Sequence, residues 1–84
     1  MTPAENLKAL GLTLPPVAQP VGSYLPATRT GALVMTSGQL PMREGQLTCA
    51  GKVGGDVTLE QAATAAELAV LNALAAAASV TGGL

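Results

Sequence analysis

The stretch TLEQAATAAELAVLNALAAAAS, Thr58 to Ser79, constrains this chain more than any other. Thr58 is a natural N-cap, and Gln61 three residues later completes a capping-box pattern. Glu60 puts negative charge in the first turn, where the helix dipole favours it. Gly82-Gly83 closes the segment. The spacing predicts a single long helix over residues 58–80. Glu60, Gln61, Thr64 and Glu67 fall on one face of it. Leu59, Ala62, Ala66, Ala69, Val70, Ala73 and Ala77 fall on the other, and a face of such small residues predicts close approach to a sheet.

What that helix can pack on is limited. The 84 residues allow one domain. They include no Phe or Trp and one Tyr, and although 49% of the chain is hydrophobic, much of that is alanine. Alanine buries little area, so the core is small for the chain length.

Upstream, Ala4 to Leu10 reads as a short helix, with Pro3 in its first turn, Gly11 at its exit, and Leu7 and Leu10 on one face. LTLPPVAQP then runs extended, because Pro15, Pro16 and Pro20 remove backbone donors. It reads as an arm laid over a sheet edge. Together these make an N-terminal region over residues 1–20. Two strands follow, Val21 to Thr28 and Ala32 to Leu40, joined by Arg29-Thr30-Gly31. Pro26 cannot donate to a ladder, which puts an edge or a bulge at that point. Arg43-Glu44-Gly45 signals a turn, so Gln46 to Cys49 reads as a short third strand, and the hairpin region spans 21–49. GKVGGD, Gly51 to Asp56, reads as a flexible loop. The order helix, strand, strand, strand, helix gives an α+β class, and a hairpin with one helix predicts an incomplete domain or one completed by a partner.

The chemistry is bounded by absences. Net charge is −1, and the four cations Lys8, Arg29, Arg43 and Lys52 are scattered, so no nucleic-acid groove is expected. No basic amphipathic face suits a membrane surface, and the apolar run Leu68 to Val80 is short of a bilayer span. Glu5 comes early and no apolar signal core follows it, so a cytoplasmic protein is expected. There is no His, which excludes within this chain a Ser-His-Asp triad, a Cys-His pair and a His-ligated metal site. Cys49 stands alone and reads as an inert thiol. Gly51 to Gly55 lacks the ending of a phosphate loop.

One stretch is odd for a strand. VMTSGQLP, Val34 to Pro41, turns polar in its middle. Thr36, Ser37 and Gln39 offer hydrogen bonds, and Gly38 lets a ligand or another backbone come close. Tyr24 lies on the neighbouring predicted strand. Two readings stand side by side: Tyr24 as a core-edge aromatic with Ser37-Gly38 as a bulge, or all three as the wall of a site. Asn72, on an otherwise apolar helix, reads as a structural hydrogen-bond maker that caps a loop or a strand.

Gly22-Ser23-Tyr24, Gly31, Val34 to Pro41, Gly45 and Leu71-Asn72-Ala73 together resemble the RidA (YjgF/YER/UK, or endoribonuclease L-PSP) family of small imine deaminases. The likeness is to a diverged subgroup. It covers essentially the whole chain and matches about the N-terminal half of a family member. It implies a chorismate-mutase-like α+β fold, here a partial domain with a β-hairpin and one long Ala-rich helix. It also implies a homotrimer with sites in clefts between subunits. Nothing in the sequence itself requires a cofactor or a metal. The reaction implied is hydrolysis of enamines or imines to a keto acid and ammonia. Tyr24, Ser37 and Gly38 match substrate-binding positions. No catalytic residue is matched, because the family's carboxylate-binding arginine and its acidic residue belong to the other half. The chain as it stands is therefore expected to be inactive. The alternative is a non-catalytic small-molecule-binding or interaction module of the same fold.

Overall fold

In the computed structural model, which describes residues 2–18 and 22–84, both helices start on the caps that the sequence supplies. α1 spans Pro3–Ala9. Its N-cap is Thr2, whose Oγ1 accepts from the Glu5 amide at 3.2 Å, and the Glu5 carboxylate reaches back to the Thr2 amide. α2 spans Leu59–Thr81. Thr58 Oγ1 accepts from the Gln61 amide at 3.1 Å while Gln61 Oε1 accepts from the Thr58 amide at 2.9 Å. Such a reciprocal pair satisfies two amides that a bare helix start leaves open. Gly82 ends α2 at φ +78, a left-handed conformation that a side chain would disfavour.

Between the helices lie two small antiparallel hairpins. β1 (Ala27–Thr30) pairs with β2 (Leu33–Thr36) in the register Ala27 with Thr36 and Thr30 with Leu33. The turn is thus Gly31-Ala32, with Gly31 at φ +59, rather than the Arg29-Thr30-Gly31 loop predicted from sequence. Both strands are four residues long, well short of the predicted spans; Val21, the predicted start of the first, lies outside the described residues. β3 (Met42–Arg43) pairs with β4 (Gln46–Leu47) across Glu44-Gly45, both at positive φ. The third strand therefore stops before Cys49. Beyond it the Thr48 amide and hydroxyl both donate to the Pro41 carbonyl, at 3.0 and 2.7 Å. The 51–56 loop closes on itself: the Gly55 and Val57 amides both donate to the Lys52 carbonyl.

α2 packs on β1 and β2 and touches β3. Its buried stripe is Leu68, Asn72, Ala75 and Ala76, which joins Ala27 and Val57 as the core among the described residues. This corrects the predicted helix face. Leu59 and Val70, assigned to the packed side, are 72% and 57% exposed. With so many alanines around the helix, apolar periodicity does not fix its rotation. The predicted pairing of Leu7 with Leu10 also fails: Leu7 is half-buried and Leu10 faces solvent. The arm lies beside α2 and the two-stranded β3–β4 hairpin. Pro15, Pro16 and Val17 form one wall of a cleft of about 590 Å³ whose floor is Leu68, Leu71 and Asn72. The Cα radius of gyration is 13.8 Å, against about 11.8 Å for a compact domain of this length.

Candidate functional site

The polar half of VMTSGQLP leaves the sheet, and Pro26 is the reason. The β1–β2 register, continued one step, sets Ser37 opposite Pro26. The Ser37 amide donates to the Pro26 carbonyl at 2.9 Å. The return bond of that pair cannot form, because proline has no N–H. The ladder stops there, and the freed Ser37 carbonyl takes the Gln39 Nε2 at 3.4 Å instead. Ser37 Oγ donates to the same Pro26 carbonyl at 3.2 Å and lies 3.4 Å from Gln39 Nε2. Gln39, predicted as one of the polar groups of the strand, is thus spent on bracing Ser37.

The far end of the segment is pinned by α2. Asn72 is buried, at 1% exposure, and its Nδ2 donates to the carbonyls of Leu40 and Met42, at 3.0 Å each. One amide group thereby serves two backbone acceptors, the Leu40 carbonyl, which also accepts from the Met42 amide at 2.8 Å, and the Met42 carbonyl at the start of β3. The structural role predicted for Asn72 is the one it plays.

Ser37 to Leu40 is therefore a bow held at both ends, by Pro26 and by Asn72. Gly38 sits on its exposed side. A Cβ built on Gly38 meets nothing within 4 Å, and its φ is not in the left-handed region. Neither backbone strain nor crowding among the described residues requires a glycine there. Gly31, Gly45 and Gly82 each have a conformational reason; Gly38 has none. A glycine in such a segment leaves room for a ligand or another backbone to come close.

Tyr24 lies two residues before Pro26, outside β1, and is 45% exposed, so it is not a core aromatic. Its ring folds back over Gly22, where a Cβ would come within 3.0 Å of Cε1. Its hydroxyl makes no hydrogen bond among those described. The structure thus brings Ser37 and Gly38 together on one braced segment and sets Tyr24 near its Pro26 anchor, with no direct bond between Tyr24 and Ser37. Neither Tyr24 nor Ser37 nor Gly38 lines the cleft beneath the arm. The segment and its two anchors carry no ionisable side chain. The sequence reading took the missing N–H of Pro26 as an edge or a bulge; in the structure it is the point where the ladder stops. Cys49 is half-buried beside Asp56 and Glu60 in a separate hollow of about 460 Å³. No cluster of three metal-binding side chains occurs among the described residues.

The family model for the YjgF/chorismate mutase-like, putative endoribonuclease family matches residues 4–84. The chain belongs to that family. A solved structure of a putative endoribonuclease from Shewanella oneidensis is 42% identical, with a TM-score of 0.89 over 100% of this chain and 56% of its own. The structure of the protein Atu1372 from Agrobacterium tumefaciens, of unknown function, is also 42% identical. Its TM-score is 0.75 over 94% of this chain and 46% of its own. Among curated proteins none matches. This YjgF-like chain spans about half the length of the solved structures it matches. The chorismate-mutase-like α+β fold read from the sequence is the fold of these neighbours, here as one hairpin-and-helix portion of it.

Proposed function

We propose that the bow from Ser37 to Leu40 is one wall of a small-molecule cleft, and that the completed YjgF-like domain hydrolyses reactive imines to a keto acid and ammonia. The observation that carries this reading is Gly38: an open glycine, without internal need, on a segment braced at both ends. The Ser37 hydroxyl and the exposed backbone at Gly38 would orient the substrate, and Tyr24 would shape the rim. Water attacks the protonated imine carbon, the C–N bond of the resulting carbinolamine breaks, and ammonia leaves. Positioning and fixed dipoles, rather than covalent chemistry, carry the rate in such a site.

Because the bow has no ionisable group, the proton carrier and the group that grips a substrate carboxylate must come from outside these residues, from the rest of the domain or from a neighbouring subunit of a homotrimer. On this reading the 84-residue chain alone is inactive, the setting is cytoplasmic, and no cofactor or metal takes part. The test is ammonia release from an enzymatically generated imine, measured on the full-length Shewanella relative beside this chain. Acceleration over buffer by the relative and none by the chain is the expected result. No acceleration by the relative overturns the deaminase reading. The absence of an acid or base beside Ser37 favours a second reading, a binding module of the same fold. It is distinguished by saturable keto-acid binding without turnover.

A further inference from the structure

Asn72 has one polar atom that the fold does not use. Its two amide hydrogens go to the Leu40 and Met42 carbonyls. That fixes which way the amide faces: Nδ2 is held against the backbone, and Oδ1 is left as a free acceptor. Oδ1 takes no hydrogen bond among those described, although Asn72 is buried, at 1% exposure. A sealed oxygen without a partner would be costly. Among the described residues no side-chain oxygen or nitrogen is both sealed and unpartnered. Oδ1 therefore keeps an opening, and the space that Asn72 lines is the cleft beneath the arm.

That cleft, of about 590 Å³, falls within the range of about 300–1,000 Å³ usual for small-molecule sites. Its walls are apolar and partly rigid. Pro15 and Pro16 fix the backbone of the arm, so little freedom is lost when a ligand enters. Leu68 and Leu71 make the floor, and Met42 is an adaptable side chain between them and the hairpin. Arg43 and Glu44 stand together on the hairpin side with opposite charges, so neither sign of ligand is favoured. We propose that the cleft beneath the arm is a second small-molecule site. It takes an uncharged, flat apolar molecule with one N–H or O–H group, and that group donates to Asn72 Oδ1. The site shares no residue with Tyr24, Ser37 and Gly38, and it does not rest on imine chemistry.

Indole is the probe, because it is flat and apolar and has a single N–H. The chain contains no Trp, so indole fluorescence reports the bound ligand without background from the protein. The expected result is a saturable blue shift as indole leaves water. Benzofuran has the same shape but lacks the N–H, and it displaces indole only at about tenfold higher concentration. Val17→Asp puts a carboxylate on the exposed arm wall and weakens indole binding at least about tenfold. Val70→Asp, outside the cleft on the other side of α2, leaves binding unchanged. The urea midpoint of each variant checks that it folds as the parent does. No saturable shift overturns the proposal, as does benzofuran competing as well as indole. Binding that survives Val17→Asp but is lost with Val70→Asp also overturns it, and assigns indole to the groove between the helices. The readout is binding of a molecule with no imine, so its failure is distinct from failure of the deaminase reading.

Discussion

The two sides of α2 invert the usual hydrophobic order. On the inner side an asparagine, Asn72, is almost fully buried; on the outer side a valine, Val70, is more than half exposed. Side-chain polarity alone would exchange them. Asn72 is tolerated inside because both its donor contacts are used, on the Leu40 and Met42 carbonyls. It ties the end of the Ser37–Leu40 segment, at the Leu40 carbonyl, to the start of β3, at the Met42 carbonyl. The inner side is thus built for one purpose, to hold a non-regular segment in place. The outer side has no such task within these residues and stays open.

The largest effect that would break this comparison is at Asn72. Asn72→Leu keeps the branched shape but takes the side-chain donor from the Met42 carbonyl and leaves the Leu40 carbonyl with the Met42 amide alone, at a cost of about 2 kcal/mol. With so small a core, that is enough to abolish a cooperative urea transition followed by the helical circular dichroism signal. A variant as stable as the parent would show that the inner side is held by packing alone. An intermediate effect is expected at the helix start: Thr58→Ala removes the Oγ1 acceptor for the Gln61 amide and should cost about 1 kcal/mol in the same experiment. The smallest is on the outer side. Val70→Thr should change stability by less than about 0.5 kcal/mol, because surface changes of this kind touch no buried group. A large loss there would mean that the outer side is already covered in the isolated chain.

The same comparison shows what was legible in the sequence. Caps are local, so Thr58 with Gln61 and the stop at Gly82 could be read directly, and both helices begin and end within a residue or two of the predicted positions. Turns were nearly as clear, since Gly31 and Gly45 supply positive φ. The rotation of α2 was not legible. Alanine on every side leaves almost no contrast for periodicity, and the decisive residue, Asn72, looks polar until its partners are known. Strand ends were misplaced for a related reason. The strand containing VMTSGQLP stops at Thr36 not because of its own residues but because Pro26, on the strand it pairs with, lacks an N–H. The family pattern itself was legible, since the residues from Tyr24 to Pro41 carry it. The role of those residues in a site was legible only as an expectation.

A helix of this composition also meets the length and apolarity of a membrane span. Its inner stripe, however, is committed to the sheet and to two backbone carbonyls, which ties the helix to the rest of the domain. The exposed remainder carries Glu60 and Glu67.

The central claim is that the braced bow around Gly38 faces a ligand. It is tested most directly by imine hydrolysis in a fusion of this chain to the part of the Shewanella protein that lies beyond the match, with Gly38 against Gly38→Val. A side chain at that position meets nothing within 4 Å in this chain and has no left-handed φ to resist it, so folding should be preserved. The account predicts ammonia release above buffer with Gly38, a loss of at least about tenfold with Gly38→Val, and an unchanged unfolding midpoint. Equal rates for the two would contradict it.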